Sequence, residues 1–380
     1  MSARYHIVPE SWKPDFGRFR RTVLERQPGP VPVGDLYADP GTLRAFFNSG
    51  DTGYLYEKAR LREPSNKAKS EISLYLERSV DFYLSMGWDF VTVHGLLGFP
   101  GVRRESPAKE SVPIKGGRRS FLVSDSGPIT SWEAFEKYEW PECPGEINLW
   151  AKEIAAILPQ GMKILNLPGG LFEWTTWLMG MEPFSFALYD QPDLVDAVIN
   201  RVSEIIYQGA EEFIDLPESG GFFIGDDMGF FNGTFIDPVV LREKFLPHLK
   251  KMVDLAHSRG KLALLHSCGN LKAIMNDLCD CGLDGKHSFE DKIMPVEEAY
   301  RRWGNRISLI GGVDVNLLAL GSEEEVRTRV RQILEVCGAG GGYVLGTGNS
   351  VASYIHFPNY LAMLEEGRKW NSANFFGLEY

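Results

Sequence analysis

Long apolar runs are missing: no stretch of the 380-residue chain approaches the roughly 20 apolar residues that a membrane-spanning helix needs. The opening MSARYHIVPESWKPDFGRFRR has no apolar core of the secretory type, so a cytoplasmic, reducing setting is expected. Cysteine is also scarce. Five in the whole chain do not make a disulfide framework. Positive charge runs short as well, with 40 Lys and Arg against 51 Asp and Glu, a formal net charge of -11. That balance argues against a nucleic-acid partner, because phosphate binding needs a positive face. No internal repeat with a period of about 20–50 residues appears, which excludes a solenoid.

What the chain has is hydrophobic mass, 44% of its residues, arranged in short runs that each end in a polar, chemically able residue. VPVGDLY ends at Asp35, WDFVTVHG at His94, KILNLPGG at Asn166 and GFFIGDDMG at Asp226 and Asp227. LALLHSCGN follows with His266 and Cys268, LDGKHSFE with His287, ISLIGGVDV with Asp314 and GYVLGTGNS with Asn349. Helical periodicity fills the intervals, so the pattern is strand then helix, as in parallel sheets. Eight such units predict a single (β/α)8 TIM-type barrel over residues 29–380 behind an N-terminal arm at 1–28, with chemistry at the C-terminal ends of the strands. A doubly wound open sheet is the competing architecture. It would not usually place a polar residue after every strand.

The connecting segments carry helix signals. Ser322 and Glu325 form a capping box, followed by Val326, Val330, Ile333, Leu334 and Cys337 on one face. Asp237 and Pro238 start a helix running to about Ser258, with Pro247 expected to kink it. A third helix spans about Lys67 to Met86. After the second strand comes an insertion, GVRRESPAKESVPIKGGRRSF, rich in Arg and Lys; it reads either as a solvated hairpin or as a docking loop for an anionic substrate or partner.

His266 and Cys268 sit two residues apart, so an extended backbone points both the same way, toward one metal ion. Asp226 and Asp227 alternate, so one can face the barrel axis while the other turns outward, and a carboxylate at such a mouth serves as metal ligand or proton carrier. Asp314 is a similar candidate. His94 and His287 each end a strand and can complete a polar ring around the mouth. Cys279 and Cys281 are expected at a helix end, too far down it to join His266 and Cys268, and Cys337 reads as core. Trp174 and Trp177 read as packing residues, although an aromatic mouth would suit a tetrapyrrole face.

Three segments, GFFIGDDMGFFNGTFIDP, LALLHSCGN and GGYVLGTGNSVASYIHFPNYLAML, in that order and spacing, resemble the uroporphyrinogen decarboxylase superfamily, especially its corrinoid-dependent methyltransferase branch of the methylcobamide:coenzyme M type. The resemblance spans roughly residues 30 to 370 and implies a (β/α)8 barrel. It further implies methyl transfer between a small substrate and a corrinoid carried on a partner protein, with zinc held by His266 and Cys268 and a third ligand at the end of the last strand. Here that last position is Asn349. With the strand-end residues, the candidate site is His266 and Cys268 for metal, Asp226, Asp227 and Asp314 for catalysis, and His94 and Asn349 beside the cofactor. The decarboxylases of the family carry an Arg-rich motif after their first strand, whereas VPVGDLYADPG has no arginine. A metal-free lyase acting on a carboxylated substrate is the alternative reading.

Overall fold

The computed structural model describes residues 7–9, 11–47, 66–94, 99–105, 120–122, 126–141 and 147–375. The basic stretch from residue 106 to 119, Arg118 and Arg119 included, lies outside the described residues, as does the side chain of His94.

Seven of the eight apolar runs form strands: β1 (Phe90–His94), β2 (Lys163–Leu167), β3 (Ser219–Gly225), β4 (Leu262–His266), β5 (Gly285–His287), β6 (Ser308–Ile310) and β7 (Tyr343–Val344). They make one parallel sheet in which spatial order follows chain order. Residues in β2 to β7 are almost all buried, as expected of a parallel sheet covered by helices outside and filled within. The first run, around Val33, makes no ladder. Pro30 and Pro32 cannot donate to one, and what remains is Val33 bridged in parallel to Trp88 on one side and Leu345 on the other. Leu345 N–H donates to Pro32 O at 2.9 Å and Gly34 N–H to Leu345 O at 3.0 Å. Residue 33 therefore joins the first and last strands, and the seven-stranded sheet closes as a TIM-type barrel does.

Between β2 and β3 the register slips, Ile164 facing Ser219 while Leu165 faces Gly221, so Gly220 bulges. Gly221 has φ +130°, and a Cβ there would stand 2.0 Å from Leu262 O. A side chain at 221 would push β4 away, so glycine is required where these two site-bearing strands pair.

The helices surround the sheet. Residues Phe16–Glu25 form α1, with Phe19 and Val23 fully buried. The predicted helix near 67–86 is α2 (Asn66–Ser85). Further along are α3 (Leu171–Met179), α4 (Pro192–Ile214), α5 (Leu246–Ser258), α6 (Glu323–Cys337) and α7 (Phe357–Asn374). The capping box of α6 is present, and all five residues of its predicted apolar face are buried. Asp237 caps its helix through Val239 N–H. Pro247 reshapes that helix: residues Leu241–Phe245 form a π-helical turn before α5 resumes with Pro247 in its first turn, where no N–H is needed. A small antiparallel hairpin pairs Arg103–Glu105 with Ser120–Leu122, within the insertion after β1. No helix among the described residues is long and apolar enough to cross a membrane.

Candidate metal centre

Asp227, two residues past the end of β3, His266, the last residue of β4, and Cys268 just beyond it each offer one donor atom, and the three atoms lie within 4.8 Å of one another. Alternation along adjacent parallel strands accounts for the convergence. Gly225 is in register with His266, so the next same-side residue on each strand is Asp227 and Cys268. His266 Nε2 lies 3.4 Å from Cys268 Sγ and 3.6 Å from Asp227 Oδ1, and the Cys268 N–H donates to Asp227 Oδ1 at 2.7 Å. Gly269, at φ +79°, lets the chain turn against Gly229; a Cβ there would meet the Gly229 carbonyl carbon at 2.3 Å.

The loops after β5 and β7 complete the surround. Ser288 has the unusual φ of +84°, a strained backbone of the sort found beside functional sites, and its hydroxyl donates to Gly348 O at 2.8 Å while standing 3.7 Å from Cys268 Sγ. Asn349 Nδ2 donates to Cys268 Sγ at 2.8 Å, and its Oδ1 is taken by Ser350 N–H. The amide thus presents a donor to the sulfur, suited to steadying a thiolate.

Electrostatics define what the group lacks. Burial, then the Asp227 charge, pushes the Cys268 thiol far up. Burial raises Asp227 too, partly offset by the Cys268 N–H. Burial, and after it the positive surroundings that include Lys286, hold His266 well below its ordinary value, and so neutral. Glu173, in the first turn of α3, is raised well above the carboxylate range by burial and then by Asp227 and Asp226. Lys286 is buried in the wall beside them and brought down to about 8 by burial. A divalent cation reverses the first two penalties together, stabilising the thiolate and the carboxylate, and it needs the neutral imidazole already present. Sulfur, imidazole and carboxylate donors fit zinc.

His287 backs the cluster, its Nδ1 lying 2.8 Å from His266 Nδ1, whereas Asp226 and Asp314 are turned to helix starts. Asp226 turns outward to the N-terminus of α3, accepting from Phe172 N–H and Glu173 N–H at 3.0 Å each; burial pushes it up to about 7 while those bonds hold it back. Asp314 caps the short helix Val315–Leu320 through Asn316 N–H and Leu317 N–H. His94 ends β1, with its side chain outside the described residues. Cys279 and Cys281 sit at the end of the helix Met275–Asp280, and Cys337 is buried in α6. Trp174 and Trp177 pack edge to face at 5.0 Å on α3. Glu173, Lys286 and Glu290, which lies three residues past β5 with its carboxyl raised by burial and then by Asp314, were not singled out from sequence. Glu173 and Glu290 each follow a polar strand end by only a few residues, which was the available signal.

A sequence model of the uroporphyrinogen decarboxylase (URO-D) family matches residues 126–370. The chain belongs to that family. It is 28% identical over 130 residues to the methylcobamide:CoM methyltransferase MtaA of Methanosarcina barkeri, covering 34% of this chain and 36% of the relative. It is 23% identical over 275 residues to the uroporphyrinogen decarboxylase of Shewanella loihica, covering 64% and 72%. The matched region spans only about a third of the methyltransferase relatives. Among solved structures, a methyltransferase from Methanosarcina mazei superposes with TM-score 0.67 at 16% identity over 97% of this chain and 99% of that one. A B12-independent methionine synthase from Shewanella gives 0.55 at 14%, over 93% and 98%. At these identities the likeness is one of fold.

Proposed function

We propose that the chain is a methyltransferase of the URO-D family that moves a methyl group between a small substrate and a corrinoid on a separate protein. The observation that carries the reading is the convergence of Asp227, His266 and Cys268 at the C-terminal ends of β3 and β4, where barrels of this type place their chemistry. These three residues would hold zinc. Bound there, zinc supplies Lewis acidity toward a thiol, ether or hydroxyl group. The chain's own groups do the rest. Asn349 holds the Cys268 sulfur by its amide N–H, Asp227 orients the Cys268 backbone, and the Ser288 turn fixes the opposite wall. Glu173, its carboxyl raised by burial and then by its carboxylate neighbours, is assigned to hold a proton at the mouth. The basic segment 103–119 is assigned to docking of the acidic corrinoid partner or an anionic substrate.

The longer match to a uroporphyrinogen decarboxylase favours a second reading, a lyase that releases CO2 from a carboxylated substrate without metal. One assay separates the two: methyl transfer from methylcobalamin to coenzyme M and other small thiols, run beside CO2 release from uroporphyrinogen. Methyl transfer lost in Cys268→Ser supports the first reading; CO2 release that survives Cys268→Ser supports the second.

A further inference from the structure

The fully buried pair Asp35 and His287 is unused by the ligand set, yet it touches it. His287 Nδ1 lies 2.8 Å from His266 Nδ1. On its other side, His287 Nε2 stands 3.2 Å from Asp35 Oδ1 and 3.2 Å from Thr347 O. We infer that Asp35 and His287 are positioning residues that hold His266 in its Nδ1–H tautomer, with the Nε2 lone pair aimed between Asp227 and Cys268.

The proton positions follow from what each neighbour can do. Thr347 O only accepts. The Asp35 carboxylate accepts from Thr347 N–H at 3.0 and 3.1 Å and from Thr347 Oγ1 at 2.9 Å, so it too acts as an acceptor in this network. The His287 Nε2 facing both must carry hydrogen. The 2.8 Å contact between the two Nδ1 atoms holds one proton; the metal reading needs a bare His266 Nε2, which assigns that proton to His266 Nδ1 with His287 Nδ1 accepting. His266 Nε2 is left unprotonated, which is the form a metal ligand needs. Asp35, His287 and His266 are 0%, 0% and 5% exposed, so water has no ready access to replace these bonds. The arrangement also spans the barrel seam: Asp35 comes from the Pro-flanked first run, and Thr347 lies two residues before Asn349.

The inference rests on the metal reading, but its test does not depend on that reading alone. In metal-free protein labelled with nitrogen-15, imidazole shifts report the tautomer; His266 is expected as Nδ1–H and His287 as Nε2–H. Asp35→Leu removes the acceptor opposite His287 Nε2, while His287→Gln removes the ring. In variants whose circular dichroism matches wild type, zinc affinity measured by chelator competition should fall by roughly 10- to 100-fold, the usual effect of removing such a supporting partner. His266 found as the Nε2–H tautomer in wild type, or folded variants that bind zinc as tightly as wild type, overturns the inference. Absence of zinc binding in wild type overturns the metal reading instead, and the tautomer spectrum still decides the role of Asp35 and His287. Should a variant fail to fold, the wild-type spectrum decides.

Discussion

Replacing Asn349 by cysteine turns an amide that donates to the Cys268 sulfur into a candidate ligand, and the geometry sets what to expect. The Asn349 Nδ2 is 2.8 Å from Cys268 Sγ. A cysteine sulfur takes the place of the amide carbon, one C–N bond of about 1.3 Å farther back, which puts the two sulfurs roughly 3.5–4 Å apart. Two thiolates on a tetrahedral zinc at about 2.3 Å stand roughly 3.8 Å apart, so the new sulfur arrives at coordinating distance without backbone movement. Thiolate is the better partner for zinc, and the gain should be at least about tenfold in affinity, or 1.4 kcal/mol. The assay is competition against a chromophoric chelator under reducing conditions, which prevents a Cys268–residue 349 disulfide. Turnover should fall, because a second thiolate reduces the Lewis acidity left for substrate. Equal affinity in wild type and Asn349→Cys would refute the claim that Asn349 borders the metal.

Asp226→Asn gives up one of the two N–H acceptors at the α3 start, a loss that does not vary with pH, and removes a group whose carboxyl burial pushes from 3.8 up to about 7. The folded state holds that proton more tightly than the unfolded chain, so the stability this group contributes is full below pH 3.8 and is lost as pH rises to about 7. Metal-free wild type should therefore weaken relative to Asp226→Asn by roughly 1 kcal/mol per pH unit across that window, read by urea unfolding; a constant difference would contradict it. Gly221→Ala forces a Cβ to within 2.0 Å of Leu262 O and should cost about 2–4 kcal/mol, lowering the melting temperature; a variant as stable as wild type would show that β3 and β4 pair more loosely than described. Reversing both Arg118 and Arg119 to glutamate should leave stability within about half a kcal/mol and weaken capture of an acidic partner, with the loss shrinking as salt rises; unchanged turnover at low ionic strength would return the loop to a solvated hairpin.

Much of the scaffold was legible because apolar runs ending in polar residues are what a parallel barrel requires of its strands. The His266–Cys268 pair was readable from strand parity, and Asp227 from the same alternation on β3. The first run was less plain: Pro30 and Pro32 reduce it to a bridge at Val33, a reduction their missing N–H groups already implied. Asp226 and Asp314 were read chiefly as chemical candidates, though each precedes or faces a helix start where a carboxylate caps N–H groups. The contact of Asp35 with His287 was beyond sequence reading, since 252 positions of chain separate them and only closure of the barrel brings them to 3.2 Å. For Asn349, the missing information was which end of the amide faces sulfur, a choice set by the Ser350 N–H.

The central claim is that Asp227, His266 and Cys268 form a metal site. Zinc should therefore be quantified by plasma emission spectrometry in protein purified without chelator, for wild type and Cys268→Ser prepared side by side. The account predicts near-stoichiometric zinc in wild type and loss of most of it in Cys268→Ser; wild type that carries no zinc and takes none up on titration contradicts it.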